Sequence, residues 1–393
     1  MKKLLSLITA FAILFIPCTA VFAATDAETV VMSAYEFQSD INAAAFVLMD
    51  VSTGTVLTGK NEHNKLYPAS ITKVMSLILV MEAISTGKLT LDMSITCSES
   101  AAEKGGSQIW LEAGEVMTID ELLKATVVYS ANDACCLLAE TVAGSEAEFC
   151  VMMNKKAQEL GMKNTNFDNC SGLDDDTDTH LSTAFDIALM SRELLKYDLI
   201  RNYTTIWMDT LRNGETQLIN TNKLIRTYPG ATGLKTGTTS KAGCCVSASA
   251  ERDGMELVAV ILGADNSKER FSAAKKLLDW GFASFEIYSP EAAGKYPEKI
   301  KVNHGVIQNA DLVHENGKKV IIRKGTADKI IYEVEIPQSV DAPVKKNQTV
   351  GKVIFKCGDE IISESDIKTA EDSEIMTIRN AVIILLRSFA RNL

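Results

Sequence analysis

Ala69-Ser70-Ile71-Thr72-Lys73 follows Tyr67-Pro68 and opens the apolar run Val74-Met75-Ser76-Leu77-Ile78-Leu79-Val80-Met81. The stretch reads as the first turn of a buried helix. Pro68 fits just ahead of a helix start, and the three-residue spacing puts the Ser70 hydroxyl and the Lys73 amine on one helical face. A serine hydroxyl is a poor nucleophile at neutral pH and needs a neighbour to take its proton. A lysine does this once burial or a second cation lowers its pKa. The tetrapeptide is common by chance, so its meaning rests on partners elsewhere in the chain.

Before this stretch, Ala44 to Asp50 and Thr55 to Thr58 flank Ser52-Thr53-Gly54 as two strands of a hairpin. After it, Thr118-Ile119-Asp120-Glu121 is a capping box that starts a helix ending near Val128. Tyr129-Ser130-Ala131-Asn132 is a short break before a second apolar helix, Asp133 to Val142, and Ser145 caps a third that stops at Gly161. From Gly230 the texture turns Gly-rich and β-branched. Thr232 to Gly237, Cys245 to Ala250 and Leu257 to Leu262, with a turn at Asp253-Gly254, read as antiparallel sheet, closed by a helix from Lys268 to Phe285. Hairpin, helices, returning strands and a last helix predict an α/β sandwich in which first and last strands share one antiparallel sheet.

Ser289-Pro290 marks a boundary, beyond which short alternating runs suit a small all-β domain over 291–370. In the final stretch, 373–393, Ile375, Ile378, Val382, Leu385, Leu386, Phe389 and Leu393 fall on one helical face, with Ile384 the exception. Arg379 and Arg387 leave the apolar run far short of the ~20 residues a span needs, so the helix is expected to lie on a membrane surface.

Lys2-Lys3, the apolar Leu4 to Ile16 and the small-residue exit Ala20-Val21-Phe22-Ala23-Ala24 form a signal-peptide pattern over 1–24, which makes the mature chain exported. Cleavage removes two lysines and no acid, taking the net charge from −11 to −13 and arguing against a nucleic-acid partner. Of nine cysteines eight would remain, including the adjacent pairs Cys135-Cys136 and Cys244-Cys245 in apolar surroundings; they are expected to be reduced and structural. No Cys-x-x-Cys or His-Glu-x-x-His spacing supports a metal, and no cofactor is called for. The Asp174 to Asp178 run lacks the glycine and glutamate of a calcium loop at Thr179 and Phe185 and reads as solvated. His63 and His180 read as surface residues.

Ser70-x-x-Lys73, Ser130-x-Asn132 and Lys235-Thr236-Gly237 occur in order on a helix start, an inter-helix loop and an edge strand. Together they resemble the motifs of the D-alanyl-D-alanine carboxypeptidases, the low-molecular-weight penicillin-binding proteins. The resemblance extends to Gly233-Leu234 ahead of the third motif, Lys241-Ala242-Gly243 after it, and Asp279-Trp280-Gly281-Phe282 beyond Arg270-Phe271. It implies a penicillin-binding-protein/β-lactamase-like sandwich with a helical subdomain over 25–288, then the β domain and the anchor helix.

It also implies roles. Ser70 attacks the carbonyl between two D-alanines of a peptidoglycan stem peptide, Lys73 takes its proton, and Lys235 lowers the Lys73 pKa. Ser130 relays the proton to the leaving D-alanine, and Asn132 holds the substrate amide. Lys235, Thr236, Thr238 and Arg270 bind a terminal carboxylate, of peptide or β-lactam inhibitor, while Gly237 leaves room for substrate along the strand. The amides of Ser70 and Thr238 form the oxyanion hole. Ser171 and Thr238 stand where some relatives carry histidine. A β-lactamase of class A would need a loop glutamate, and none lies between Leu160 and Ser182; a penicillin sensor would need a transmembrane route. Endopeptidase action on cross-links shares every residue named and stays open.

Overall fold

The computed structural model describes residues 37–391 apart from Ser39, Asp175, Asp176 and Asn316. The expected signal segment, with Cys18, and Leu393 lie outside the described residues, as does the side chain of Phe389.

The hairpin forms as β1 (Ala45–Asp50) and β2 (Val56–Lys60). The Ser70 turn is a short 3-10 segment, Ala69–Thr72, that runs directly into α1 (Lys73–Ser85). The capping box is made: Thr118 accepts from Glu121 N, and Glu121 accepts from Thr118 N, starting α2 (Ile119–Lys124). This helix continues as a π-turn over Ala125–Tyr129, and α3 (Asn132–Ala143) and α4 (Glu146–Glu159) follow, the latter capped by Ser145. Then come α5 (Ala184–Leu194), β3 (Ala231–Thr239), β4 (Gly243–Arg252), β5 (Met255–Ala264) and α6 (Ser267–Ser284).

The sheet order is β2-β1-β5-β4-β3, with every pairing antiparallel, so the first hairpin and the last strands share one sheet and β3 lies at its edge. Alternation along β1 sends Ala45, Val47 and Met49 to a core shared with α1 and α5, and Phe46 and Leu48 to a second core under α6. Both faces are therefore covered, the sandwich expected from the order of elements. Helix α1 is buried from Lys73 to Met81. Each fully buried Val, Leu or Ile there contributes roughly 1.5–3 kcal/mol relative to exposure, which offsets the desolvation of the lysine at its start.

Beyond α6, β6 (Phe285–Tyr288) packs Phe285 into the core under α6 and pairs antiparallel with β9 (Val320–Arg323) of the following unit. That unit is built on β7 (Lys299–Asn303), β8 (Asn309–His314), β10 (Ile330–Glu335), β11 (Ser339–Asp341), β12 (Thr349–Cys357) and β13 (Glu360–Thr369). They form one sheet in the order β10-β12-β13-β8-β7-β11 over a core that includes Ile300, Val302, Phe355 and Ile367. Thr377 accepts a hydrogen bond from Asn380 N and starts α7 (Ile378–Arg391). Ile378, Val382, Ile384, Leu385 and Leu386 are exposed on it. No helix among the described residues is long and apolar enough to cross a membrane.

Candidate active site

Two glycines shape the Ser70 turn. Ala69 has φ +48°, a conformation L-residues rarely adopt. A Cβ on Gly172 would stand 1.9 Å from the Ala69 carbonyl oxygen, and one on Gly237 would stand 2.9 Å from Pro68 O, Ala69 Cβ and Ser70 N. The turn is thus pressed between the 171–172 loop and the edge strand β3. The absence of a side chain at Gly237 is what lets the Ser70 turn approach the strand this closely.

Lys73 is fully buried, and its Nζ has three neighbours: Ser70 Oγ at 3.0 Å, Asn132 Oδ1 at 2.6 Å and Ser171 O at 2.9 Å. Burial holds its pKa below the ordinary lysine range, against the opposing pull of Cys135, Cys170 and Asp133. Two of the neighbours are carbonyl oxygens that only accept. As an ammonium, Nζ donates to all three; once it has lost a proton, its two N–H groups still serve both carbonyls and its lone pair is left for the Ser70 hydroxyl. Ser171, whose side chain the sequence marked as a departure, contributes through its backbone.

Asn132 reaches Lys73 from an interrupted helix, with Ser130 two residues before it at the break. The π-turn ends with Ser130 in the left-handed region at φ +70°, and Ser130 is buried. Asn132 N donates to Ser107 O at 2.6 Å and its Nδ2 to Gly105 O at 2.7 Å, so the side-chain oxygen is aimed at Lys73. Asp133 accepts from the amides of Ile109 and Leu111, fixing the 105–111 loop, and a Cβ on Gly106 would stand 2.6 Å from Asn132 Nδ2. Asp133, Gly106 and Gly172 escaped sequence reasoning because their work is to support neighbours distant in the chain.

On β3, Lys235 is buried, with Nζ donating to Thr236 O at 3.2 Å. Its pKa is held well below the lysine range by burial, then by repulsion from Lys73 and Arg270. Burial is thus the leading cause at both amines, and the expected repulsion between them is expressed at Lys235. Thr236 Oγ1 donates to Thr221 Oγ1 at 2.7 Å, while Thr238 is exposed at the strand's end. Arg270, in the first turn of α6, is buried rather than solvated. Its Nη1 donates to Gly237 O (2.9 Å), Thr238 Oγ1 (2.9 Å) and Cys245 O (3.2 Å), and its buried Nε has no partner among the described residues.

Two readings are corrected. His180 is fully buried: Nδ1 accepts from Asp168 N at 3.1 Å, which leaves the proton on Nε2, 2.8 Å from Thr72 Oγ1. Burial pushes its pKa down to about 4. Its polar neighbours lie far along the chain, which is why an isolated histidine looked superficial; His63 is exposed as expected. Asp174 is likewise buried and accepts from Thr239 Oγ1 at 2.5 Å, whereas Asp178 is exposed, in keeping with a solvated run, and meets Lys241 and Tyr67. All eight described cysteines are free thiols, six of them buried.

The family described as D-alanyl-D-alanine carboxypeptidase matches residues 30–266, and the C-terminal domain of penicillin-binding protein 5 matches residues 285–374. The D-alanyl-D-alanine carboxypeptidase DacF of Bacillus subtilis is 38% identical over 376 residues, 95% of each chain. Among solved structures, penicillin binding protein 5 from Haemophilus influenzae superposes with a TM-score of 0.76 at 30% identity, over 86% of this chain and 98% of that one. Penicillin-binding protein D2 from Listeria monocytogenes in its ampicillin-bound form gives a TM-score of 0.57 at 30% identity, over 62% and 98%. With the three motifs gathered around one buried lysine and both domains matched, the chain belongs to the D-alanyl-D-alanine carboxypeptidase family.

Proposed function

We propose that this chain is a serine-type D-Ala-D-Ala carboxypeptidase that removes the terminal D-alanine from peptidoglycan stem peptides and is acylated by β-lactams at the same serine. The observation that carries the reading is the Lys73 amine, held by two carbonyl acceptors with its remaining valence directed at Ser70 Oγ.

Lys73 takes the Ser70 proton as Oγ bonds to the penultimate D-alanine carbonyl carbon. The carbon–nitrogen bond breaks and Ser130 passes a proton to the departing D-alanine amine, leaving an ester on Ser70 that water hydrolyses. Positioned proton transfer contributes roughly 10²- to 10⁴-fold. The amides of Ser70 and Thr238 hold the oxyanion; losing one donor of this kind costs about 10²- to 10³-fold. Lys235, Thr236 and Thr238 receive the terminal carboxylate. Arg270, its Nη1 engaged by the β3 backbone and Thr238, adds positive field and positions Thr238. Asn132 holds both the Lys73 amine and the substrate amide, and Gly237 brings the edge strand against the nucleophile turn.

The organisation that fits this reading is a signal segment over 1–24, a catalytic domain over 25–288, a β domain over 291–370 and an anchor over 373–393. The exported enzyme then sits peripherally on the outer face of the cytoplasmic membrane through α7, whose apolar side chains are exposed. The test is release of free D-alanine by the purified protein from a peptide ending in D-Ala-D-Ala, beside Ser70→Ala. Release and penicillin labelling are both expected to vanish in the variant. Labelling retained by the variant overturns the nucleophile, and a wild-type protein that is labelled yet releases no D-alanine points to cross-link endopeptidase action.

A further inference from the structure

Three chain segments bring a soft ligand set together away from the nucleophile. Cys136 lies in α3, Glu146 opens α4 and Cys170 lies in the loop just before Ser171. Their Sγ atoms and a carboxylate oxygen are all within 4.8 Å of one another. The set is already organised: Glu146 accepts from Cys170 N at 3.1 Å and from Lys104 Nζ at 2.5 Å, and Cys135 Sγ, beside the cluster, points to Cys170 O at 3.4 Å. Both thiols are fully buried, while Glu146 keeps a fifth of its side chain exposed, giving an entry path from solvent.

We propose that Cys136, Cys170 and Glu146 form a binding site for one zinc ion, with water at the fourth position. Zinc takes thiolate sulfur at about 2.3 Å and carboxylate oxygen at about 2.0–2.2 Å in tetrahedral array, which places two sulfurs about 3.8 Å apart. The three donors need only a small contraction to meet that geometry. Thiolate ligands select zinc over calcium or magnesium, which prefer all-oxygen sets. Binding expels a proton from each thiol; the dication and the Lys104 ammonium offset the two thiolates and the Glu146 carboxylate, while Glu140 Oε1, 3.8 Å from Cys136 Sγ, leaves the surroundings one charge negative, which favours a dication.

The position gives the site a consequence. Ser76 Oγ donates to Cys170 O at 2.6 Å, and the next carbonyl, of Ser171, accepts from Lys73. An ion on Cys170 therefore pins, to α3 and α4, the loop that orients the catalytic amine.

The test uses the reduced full chain, stripped with a chelator, then loaded with cobalt(II) or zinc and desalted. One equivalent of zinc is expected to stay with the protein, cobalt to show thiolate-to-metal charge-transfer absorption, and zinc to displace it and raise the melting temperature. Cys136→Ser, Cys170→Ser and Glu146→Gln should each lose retained metal, and Cys357→Ser should not. Where a variant fails to fold, protection of two thiols by zinc in the wild-type chain decides. No retained zinc, cobalt bound without thiolate absorption, or equal retention by Cys136→Ser overturns the site, as does a wild-type cluster that loses two thiols to a disulfide and takes no metal. None of these readouts depends on D-alanine release, so the site and the proposed activity stand or fall separately.

Discussion

Helices α1 and α7 are near-equals in length, 13 and 14 residues, and both are rich in Ile, Leu and Val, yet the fold uses them in opposite ways. Nearly every side chain of α1 is spent on the core, and the helix carries a buried lysine at its first residue. Helix α7 leaves Ile378, Leu385 and Leu386 open, at 87%, 59% and 63% exposure. Apolar content alone does not say what a helix does. A buried helix holds a reactive group away from water, where its pKa falls, whereas an exposed apolar helix awaits a surface outside the chain.

The sharpest way to break this contrast is at Lys73. Lys73→Met should lower the acylation rate roughly 10²- to 10⁴-fold, measured by stopped-flow labelling with a fluorescent penicillin. In the wild type the rate should rise with pH along a limb below the ordinary lysine pKa of about 10.4. Lys235→Gln should shift that limb to higher pH, because removing a like charge favours the ammonium form of Lys73. An unmoved limb would mean that burial alone sets the Lys73 pKa.

Next in size is the histidine beneath the α1 start. The folded pKa of His180 is depressed to about 4 from an ordinary 6.5, so the unfolded chain binds more protons between these values. Stability should therefore be complete above about pH 6.5 and fall as pH drops toward 4, by about 3 kcal/mol in all. Denaturant titrations at stepped pH check this. His180→Gln should flatten the slope over that window; an unchanged slope assigns it to other groups.

Gly172→Ala should cost about 1–3 kcal/mol and slow acylation, since the new Cβ meets the Ala69 carbonyl on a backbone at φ +88°. Gly144→Ala is the comparison: its φ is +86° but nothing lies within 4 Å. Equal melting temperatures for the two would show that only the dihedral matters and that the turn is not pressed.

The smallest effect on stability is expected at the other helix. Leu385→Glu with Leu386→Glu should change unfolding free energy by about 0.5 kcal/mol or less, as for exposed sites, and leave D-alanine release intact. Sedimentation with phospholipid vesicles should nevertheless be lost. Vesicle binding retained by the double variant would move the anchor elsewhere.

The short-range signals were legible in the chain: Ser70 three residues from Lys73, the Thr118–Glu121 capping box, and the β-branched runs and Asp253-Gly254 turn that made β3, β4 and β5 one antiparallel sheet. Each is governed by helix or strand periodicity over a few residues, so no distant contact was needed to read it. Distance along the chain hid the rest. That Asn132 and the Ser171 carbonyl complete the Lys73 amine, that Gly237 and Gly172 press the nucleophile turn, that His180 is buried under Thr72, and that Cys136, Glu146 and Cys170 converge were decided when α3, the 169–172 loop and the edge strand packed around α1. Burial and proximity are properties of the packed chain, and it is burial that holds the pKa of Lys73 below the ordinary lysine range.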